Sequence, residues 1–269
     1  MYRGIITGLN EAFVIDNKVK TQIINEDPKY SELIKPFLIG KDVKRYQTLK
    51  SDTSLILMPK GWTNIHSGNA KNKWKWLKEN YPTIANHLEP FSELAEKRFD
   101  KGDYWWELRS CEYYGEFEKQ KIFYPDIAPR GYFTLDEAGN HYCANSCYFI
   151  ANNQKYLLGL LNSKLITYYY SKSAALIRGG YLRFFTQDIE KLPIYIPDFD
   201  TLVDKARHDK MVALVTQMLD LNKKLQDARL DQEKTQFQRQ IVATDAAIDA
   251  LVYELYGLTA EEIKIVEGK

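Results

Sequence analysis

Residues 121–150, KIFYPDIAPRGYFTLDEAGNHYCANSCYFI, carry the reading on which the fold turns. Lys121-Ile122-Phe123-Tyr124 and Gly131-Tyr132-Phe133-Thr134-Leu135 are aromatic and β-prone, and read as strands. Asp136-Glu137-Ala138-Gly139-Asn140 is a run of turn formers, and His141 to Ile150 reads as the return strand. Downstream the period changes. From Lys155 to Lys172, Leu157, Leu161, Leu165 and Tyr168 recur at helical steps on one face. Upstream, Ile5-Ile6 and Phe13-Val14-Ile15 predict a hairpin turned by Gly8-Leu9-Asn10. Two apolar runs follow, Leu33-Ile34 to Phe37-Leu38-Ile39 and Ser54-Leu55-Ile56-Leu57-Met58, the second consistent with a buried strand. Residues 70–99 read as two or three short helices broken at Pro82 and Pro90.

Beyond Arg178–Phe185, a basic-aromatic loop or strand, Thr186 opens a short turn and Leu192–Ile196 reads as a strand. The last part differs. Met211, Leu214, Met218, Leu221 and Leu225, then Phe237, Ile241, Thr244, Ile248, Leu251 and Leu255, are heptad-like stripes that predict an antiparallel helical hairpin. The stripes can dock onto the body or project as a coiled-coil arm, since periodicity does not choose the partner. Gly257 is the expected C-cap, and Thr259-Ala260-Glu261-Glu262 a capping box. The expectation is an α+β fold: a twisted mixed sheet with flanking helices over residues 1–200, then the hairpin and a short helix over 201–269.

The 269 residues are 45% hydrophobic and 27% charged, a composition neither disordered nor membrane-like. No apolar run reaches the roughly 20 residues of a bilayer span, and no membrane partner is expected. The N-terminus lacks an apolar stretch of signal-peptide length, and three cysteines make no disulfide framework, so the expected compartment is the cytoplasm. The net charge of +1 conceals an asymmetry: of 37 basic and 36 acidic residues, 10 and 13 fall in residues 200–269. From Lys35 to Lys78 there are ten Lys/Arg and only Asp42 and Asp52 as acids, a local cationic stretch of the kind that faces phosphates.

Catalytic signatures are thin. There is no G-x-G, no P-loop and no N-P-P-Y/F tetrapeptide, so the chain shows no nucleotide site or methyltransferase core. No H-E-x-x-H occurs among His66, His87, His141 and His208. His141, Cys143 and Cys147 hint at a zinc set, but on one strand the two cysteines stand about 13 Å apart and would need a bend. Asp16-Asn17-Lys18, Asp42-Val43-Lys44 and Glu262-Ile263-Lys264 match half of a metal-dependent nuclease motif without a convincing acidic partner upstream. Three basic sets remain. Lys35, Lys41, Lys44, Arg45, Lys50 and Lys60 interleave with Phe37, Tyr46 and Trp62; Tyr168-Tyr169-Tyr170-Ser171-Lys172 precedes Arg178-Gly179-Gly180-Tyr181-Leu182-Arg183-Phe184-Phe185; the third is Arg109, Lys119, Lys121 and Arg130. Lysine and arginine neutralise phosphates, and arginine also forks onto guanine edges. Taken alone, a solvated surface explains such runs as well.

Gly4-Ile5-Ile6-Thr7-Gly8-Leu9-Asn10-Glu11-Ala12-Phe13 and Ile34-Lys35-Pro36-Phe37-Leu38-Ile39-Gly40-Lys41-Asp42-Val43-Lys44-Arg45-Tyr46 resemble the start of the TaqI-like C-terminal specificity domain. Leu160-Leu161-Asn162-Ser163-Lys164-Leu165 and Ile189-Glu190-Lys191-Leu192-Pro193-Ile194 resemble it too, and these two, with the terminal helical pattern Ile248-Asp249 to Tyr256-Gly257-Leu258-Thr259, are shared with type I restriction specificity subunits. The resemblance implies a target recognition domain that grips duplex DNA while a methyltransferase or endonuclease core, in the same polypeptide or a separate subunit, does the chemistry. Any S-adenosylmethionine or Mg²⁺ would then belong to that core, with no cofactor, metal or catalytic residue in this chain. The expected DNA contacts are Lys41, Lys44, Arg45, Arg109, Arg130, Lys172, Arg178 and Arg183, with Asn10 beside them; the lysines serve phosphates and the arginines of the glycine loop base edges. The alternatives are a metal-dependent nuclease and a protein-interaction module using the C-terminal helices.

Overall fold

The computed structural model describes residues 1–177 and 179–269. Its centre is the strand Lys121–Pro125, every residue of which is buried. It lies antiparallel between Cys147–Ile150 and Thr134–Asp136, with Tyr2–Arg3 on the far side of Cys147–Ile150. Alternation along the strand divides two cores. Phe123 joins a cluster with Phe13, Phe37, Leu55 and Phe117, while Ile122 and Tyr124 join one with Leu158, Leu161, Met211 and Leu251. A second sheet runs Val14–Asp16, Thr53–Ile56, Ile34–Leu38, Tyr142–Cys143, antiparallel except for its last pair. A third comprises Leu176–Ile177, Tyr181–Arg183 and Ile127–Ala128. The fold is α+β, with mixed sheets, flanking helices and the C-terminal hairpin.

The short helices come where the prolines permit them. Pro82 opens Pro82–Leu88, after Lys73–Asn80 and before Ser92–Glu96, and Pro90 sits in the first turn of a 3-10 segment. The stretch from Gly61 to Leu108 closes on Glu107, wholly buried, whose carboxylate accepts the backbone N–H groups of Gly61, Thr63 and Asp103 at 3.2, 2.8 and 2.9 Å. Arg98, also buried, ties this region to the N-terminus by donating to the carbonyls of Thr7, Asp100, Trp105 and Glu107.

Several sequence expectations need correction. Ile5-Ile6 and Phe13-Val14-Ile15 do not form a hairpin. Gly4 and Ile5 donate to Cys147 and Cys143 carbonyls at 3.0 and 2.7 Å, and Asn10–Phe13 winds into a helical turn that buries Ala12 and Phe13. His141–Ile150 is two strands. A turn at Ala144–Ser146 sends Tyr142–Cys143 to one sheet and Cys147–Ile150 to another. Gly131–Leu135 is strand only at its end, Thr134–Asp136. The helix expected from Lys155 to Lys172 restarts at Ser163, whose hydroxyl accepts Ile166 N–H at 3.2 Å, giving Lys155–Asn162 and Lys164–Ser173. Leu192–Ile196 forms no strand: Pro193 cannot donate to a ladder, and the Tyr256 hydroxyl instead bonds Pro193 O and Tyr195 N–H at 2.6 and 2.9 Å.

The hairpin consists of Leu202–Asp227 and Asp231–Leu255. Its base is docked: Met211, Val215, Met218, Ile248, Leu251 and Val252 are buried in the second core. Near its tip the side chains are mostly exposed, Leu230 and Val242 included. Docking thus wins over free projection at the base, because Leu158, Leu160 and Leu161 offer an apolar wall there and no such wall reaches the tip. Gly257 has φ +65, as a C-cap glycine should, and the Thr259–Glu262 capping box starts Ala260–Glu267.

Candidate nucleic-acid interface

The motif blocks converge on one polar node. Asn162 bonds both backbone groups of Phe133, Oδ1 accepting at 3.0 Å and Nδ2 donating at 2.9 Å, so its side chain mimics a strand partner. Arg45 donates to the Asn162 carbonyl at 3.1 and 2.7 Å and to the Asp245 carboxylate. Asp249 accepts the Lys164 backbone N–H at 2.9 Å, with Lys164 Nζ 3.5 Å from its other oxygen. Burial pushes the Asp249 carboxyl up against the pull of Lys164 and Arg45. Three separate sequence blocks meet here, and what they do is hold the helical hairpin to the body. Arg45, with its side chain 9% exposed, is committed to that task and leaves the set of cations available to phosphate.

Folding redistributes the charge in the same way elsewhere. In the first basic stretch Lys35 pairs with Glu118, Lys50 with Asp227, Lys60 with Asp103 and Lys78 with Glu89. Of the third set, Lys119 pairs with Glu116, and Lys121 is wholly buried against Asp136 at 2.7 Å. Arg109 pairs with Asp100 at 2.9 Å and Arg183 with Asp126 at 3.2 Å. Among the described residues, Lys41, Lys44, Arg130 and Lys172 are exposed and have no carboxylate partner, and Arg3 shares that state.

These cations are not scattered. Arg130, Lys164, Tyr168, Leu176, Gly180 and Leu182 line a groove of about 280 Å³ between the helix Lys164–Ser173 and the third sheet. Lys172 Nζ sits 4.4 Å from the Tyr168 ring centroid, and Lys44 Nζ 5.5 Å from that of Tyr132, two residues past Arg130. Gly179 and Gly180, φ +91 and +78, turn the ribbon that forms one wall. The Ala144–Ser146 turn extends this face. Ser146 Oγ accepts from Gly40 N–H, beside Lys41, and Ser146 O accepts from Asp126 N–H, beside Arg183. Burial raises the Tyr148 hydroxyl, and the charges of Arg3 and Arg183 both pull it back. Arg3 and Arg109 line the next cavity, about 500 Å³, with Tyr113 and Tyr114. Asn10 lies beyond, its Oδ1 accepting the Thr7 hydroxyl proton at 2.6 Å. Arg178 falls outside the described residues. Sequence reading overlooked Arg3, Lys164 and Asp126. Arg3 and Lys164 adjoin or lie within the motif blocks, whereas nothing local marks Asp126.

The acids of the acid-x-lysine tripeptides are occupied: Asp16 caps a helix at Val19 N–H, Asp42 accepts Ile39 N–H, and Glu262 closes the capping box. The turn at 144–146 supplies the bend that a Cys143–Cys147 pair needed, but both thiols are buried, and burial drives the Cys143 thiol well up. Among the described residues no three His, Cys, Asp or Glu side chains gather as a metal-binding group, and no helix is long and apolar enough to cross a membrane.

Comparison with solved structures places this architecture. The type IIL restriction-modification enzyme MmeI, solved in complex with DNA, superposes with a TM-score of 0.63 over 98% of this chain and 34% of its own, at 13% identity. The type IIG restriction endonuclease BpuSI aligns over 94% of this chain and 30% of its own, at 14% identity and a TM-score of 0.46. The chain thus spans about a third of the length of the enzymes it matches. The family model of the TaqI-like C-terminal specificity domain matches residues 35–194, a span that holds Arg45, Asn162, Lys164 and the groove-lining ribbon, and the chain belongs to that family.

Proposed function

We propose that this chain reads a short sequence in duplex DNA as the specificity module of a restriction–modification enzyme or adenine-N6 DNA methyltransferase, acting in the cytoplasm. Bond chemistry, with its S-adenosylmethionine and any Mg²⁺, lies in a catalytic core carried by the same polypeptide or a separate subunit. The domain of recognition is residues 1–200, and the hairpin of 201–269 braces it. The observation that carries this reading is where the unpaired cations of the basic stretches lie. Among the described residues, Lys35, Lys50, Lys60 and Lys121 are paired with acids distant in sequence, while Lys41, Lys44, Arg130 and Lys172 have no carboxylate partner and lie around the glycine-turned ribbon and the adjoining turn. An anionic ridge is the partner that such a residue of charge suits.

Fluorescence anisotropy with a labelled duplex across a salt series tests it. If each of these four cations neutralises one phosphate, log K falls against log salt with a slope of about −3.6, and the triple variant Lys44→Ala, Arg130→Ala, Lys172→Ala flattens it by about 2.7. Absence of duplex binding at low salt, or a triple variant with the wild-type slope, refutes the reading.

A further inference from the structure

The third sheet has an outer face that the described residues cover only in part. Register places Ile177 opposite Tyr181 and Arg183 opposite Ile127, so these four side chains share one side, while Leu182 and Ala128 on the other side are buried. On that outer face Ile127 is 47% exposed and Tyr181 44%. Arg183 stands among them, its guanidinium 4.7 Å from the Phe185 ring centroid. Asp126 grips it by two atoms, Oδ1 accepting from Nε at 3.3 Å and Oδ2 from Nη2 at 3.2 Å. The grip is itself fixed, since Asp126 N–H donates to Ser146 O at 2.9 Å and Asp126 O accepts Phe184 N–H at 2.8 Å.

An arginine held by a carboxylate is a poor phosphate ligand. The pair is neutral, so it releases no counterion, and the carboxylate repels the phosphate that would approach. A base edge carries no net charge and asks for a donor fork in fixed orientation, which the pair supplies through the N–H groups that Asp126 leaves unused. The neighbouring Ile127 and Tyr181 offer apolar surface of the kind that meets a thymine methyl. Arg130 lines the groove on the sheet's Leu182 side, and Lys172 stands over Tyr168 of the same groove, so cations available to phosphate lie next to the ribbon. Leu176–Ile177 and Tyr181–Arg183 form a two-stranded ribbon at the sheet's edge, an element that the major groove admits.

We propose that Arg183 reads a guanine from the major groove, and that Asp126 is the positioning residue that orients it. This inference rests on the DNA-recognition reading above and deepens it. The test is selection of bound duplexes from a random pool by the full chain, followed by sequencing, for wild type, Arg183→Ala, Arg183→Lys, Asp126→Ala and Asp126→Asn, each checked for a native melting curve. Wild type is expected to select a motif with one G·C position that Arg183→Ala and Arg183→Lys lose, the roughly 5- to 150-fold preference for guanine falling to near unity while other positions persist. The Asp126 variants relax the same position and leave low-salt affinity for unselected duplex unchanged or higher. If Arg183→Ala keeps the motif but weakens all sequences alike and reduces the salt slope by about one, Arg183 is a phosphate contact and the inference fails while the parent reading stands. If the Asp126 variants keep wild-type preference at that position, the positioning role fails. If wild type retains duplex without selecting any motif, both the specificity reading and this inference fall.

Discussion

Replacing Asp245 with alanine leaves Arg45 buried beside the second core without its carboxylate. The guanidinium keeps two bonds to the Asn162 carbonyl, at 3.1 and 2.7 Å, and its place 4.9 Å from the Tyr46 ring centroid. The next acid, Asp249, is already engaged by Lys164. One-sided removal of a buried pair costs about 3–5 kcal/mol, and the surviving carbonyl contacts set the expected loss near the lower end, about 3 kcal/mol. At about 2–4 °C per kcal/mol for a chain of this size, Tm should fall by roughly 6–12 °C. Urea unfolding followed by circular dichroism measures the loss, and amide exchange over Leu202–Asp227 and Asp231–Leu255 shows whether the hairpin loosens first. The double replacement Arg45→Met with Asp245→Leu removes both charges and should recover most of the stability. A single variant within about 0.5 kcal/mol of wild type, or a double variant no better than the single, refutes the idea that this pair clasps the hairpin to the body.

Two further outcomes follow from the geometry. Burial alone would raise the Asp136 carboxyl, but His141 and Lys121 overcome it and hold the group below its ordinary 3.8, so its stabilisation is complete above that pH and drains away as pH falls below it. Asp136→Asn should therefore flatten the acid limb of a stability–pH curve and, at neutral pH, cost about 3–5 kcal/mol by leaving Lys121 buried and unpaired; an unchanged limb in acid titration argues otherwise. Gly4→Ala would place a Cβ 2.0 Å from the Ala144 carbonyl oxygen, which belongs to backbone and cannot swing aside. A loss of about 1–3 kcal/mol is expected, with weaker DNA binding because the 144–146 turn must shift, and a variant with wild-type melting and affinity refutes the account.

The strands most visible beforehand were those whose side chains alone decide their state. Lys121–Pro125 and Thr53–Ile56 are apolar or aromatic enough to be buried with few demands on their neighbours, and the helical hairpin shows in its stripes. The failures share a cause. Ile5-Ile6 looked like half of a hairpin because sequence shows β-propensity and not the partner, and the partner lay some 140 residues away at Cys143–Cys147. His141–Ile150 alternates like one strand, yet within its Ala144–Ser146 turn the Ser146 carbonyl and hydroxyl accept from Asp126 and Gly40 N–H, and Gly4 packs closely against the Ala144 carbonyl.

Charge was the least legible property. The cationic run from Lys35 to Lys78 is plain in sequence, but an ion pair depends on distance in space, and Glu118, Asp103, Asp227 and Asp245 reach it only through the fold. Among the residues expected at DNA, Lys41, Lys44, Arg130 and Lys172 remain unpaired, whereas Arg45 becomes a structural clasp and Arg183 an oriented pair with Asp126. Taken by itself, then, the order of residues determined the α+β class, the family and the helical hairpin, though not its docking, because these rest on local pattern and on blocks of contiguous residues. Which cations stay free, which arginine is held in a fixed fork, and where the 144–146 turn draws them together were decided only by tertiary structure, because Coulomb and hydrogen-bond energies act through ångströms of space and not along the chain.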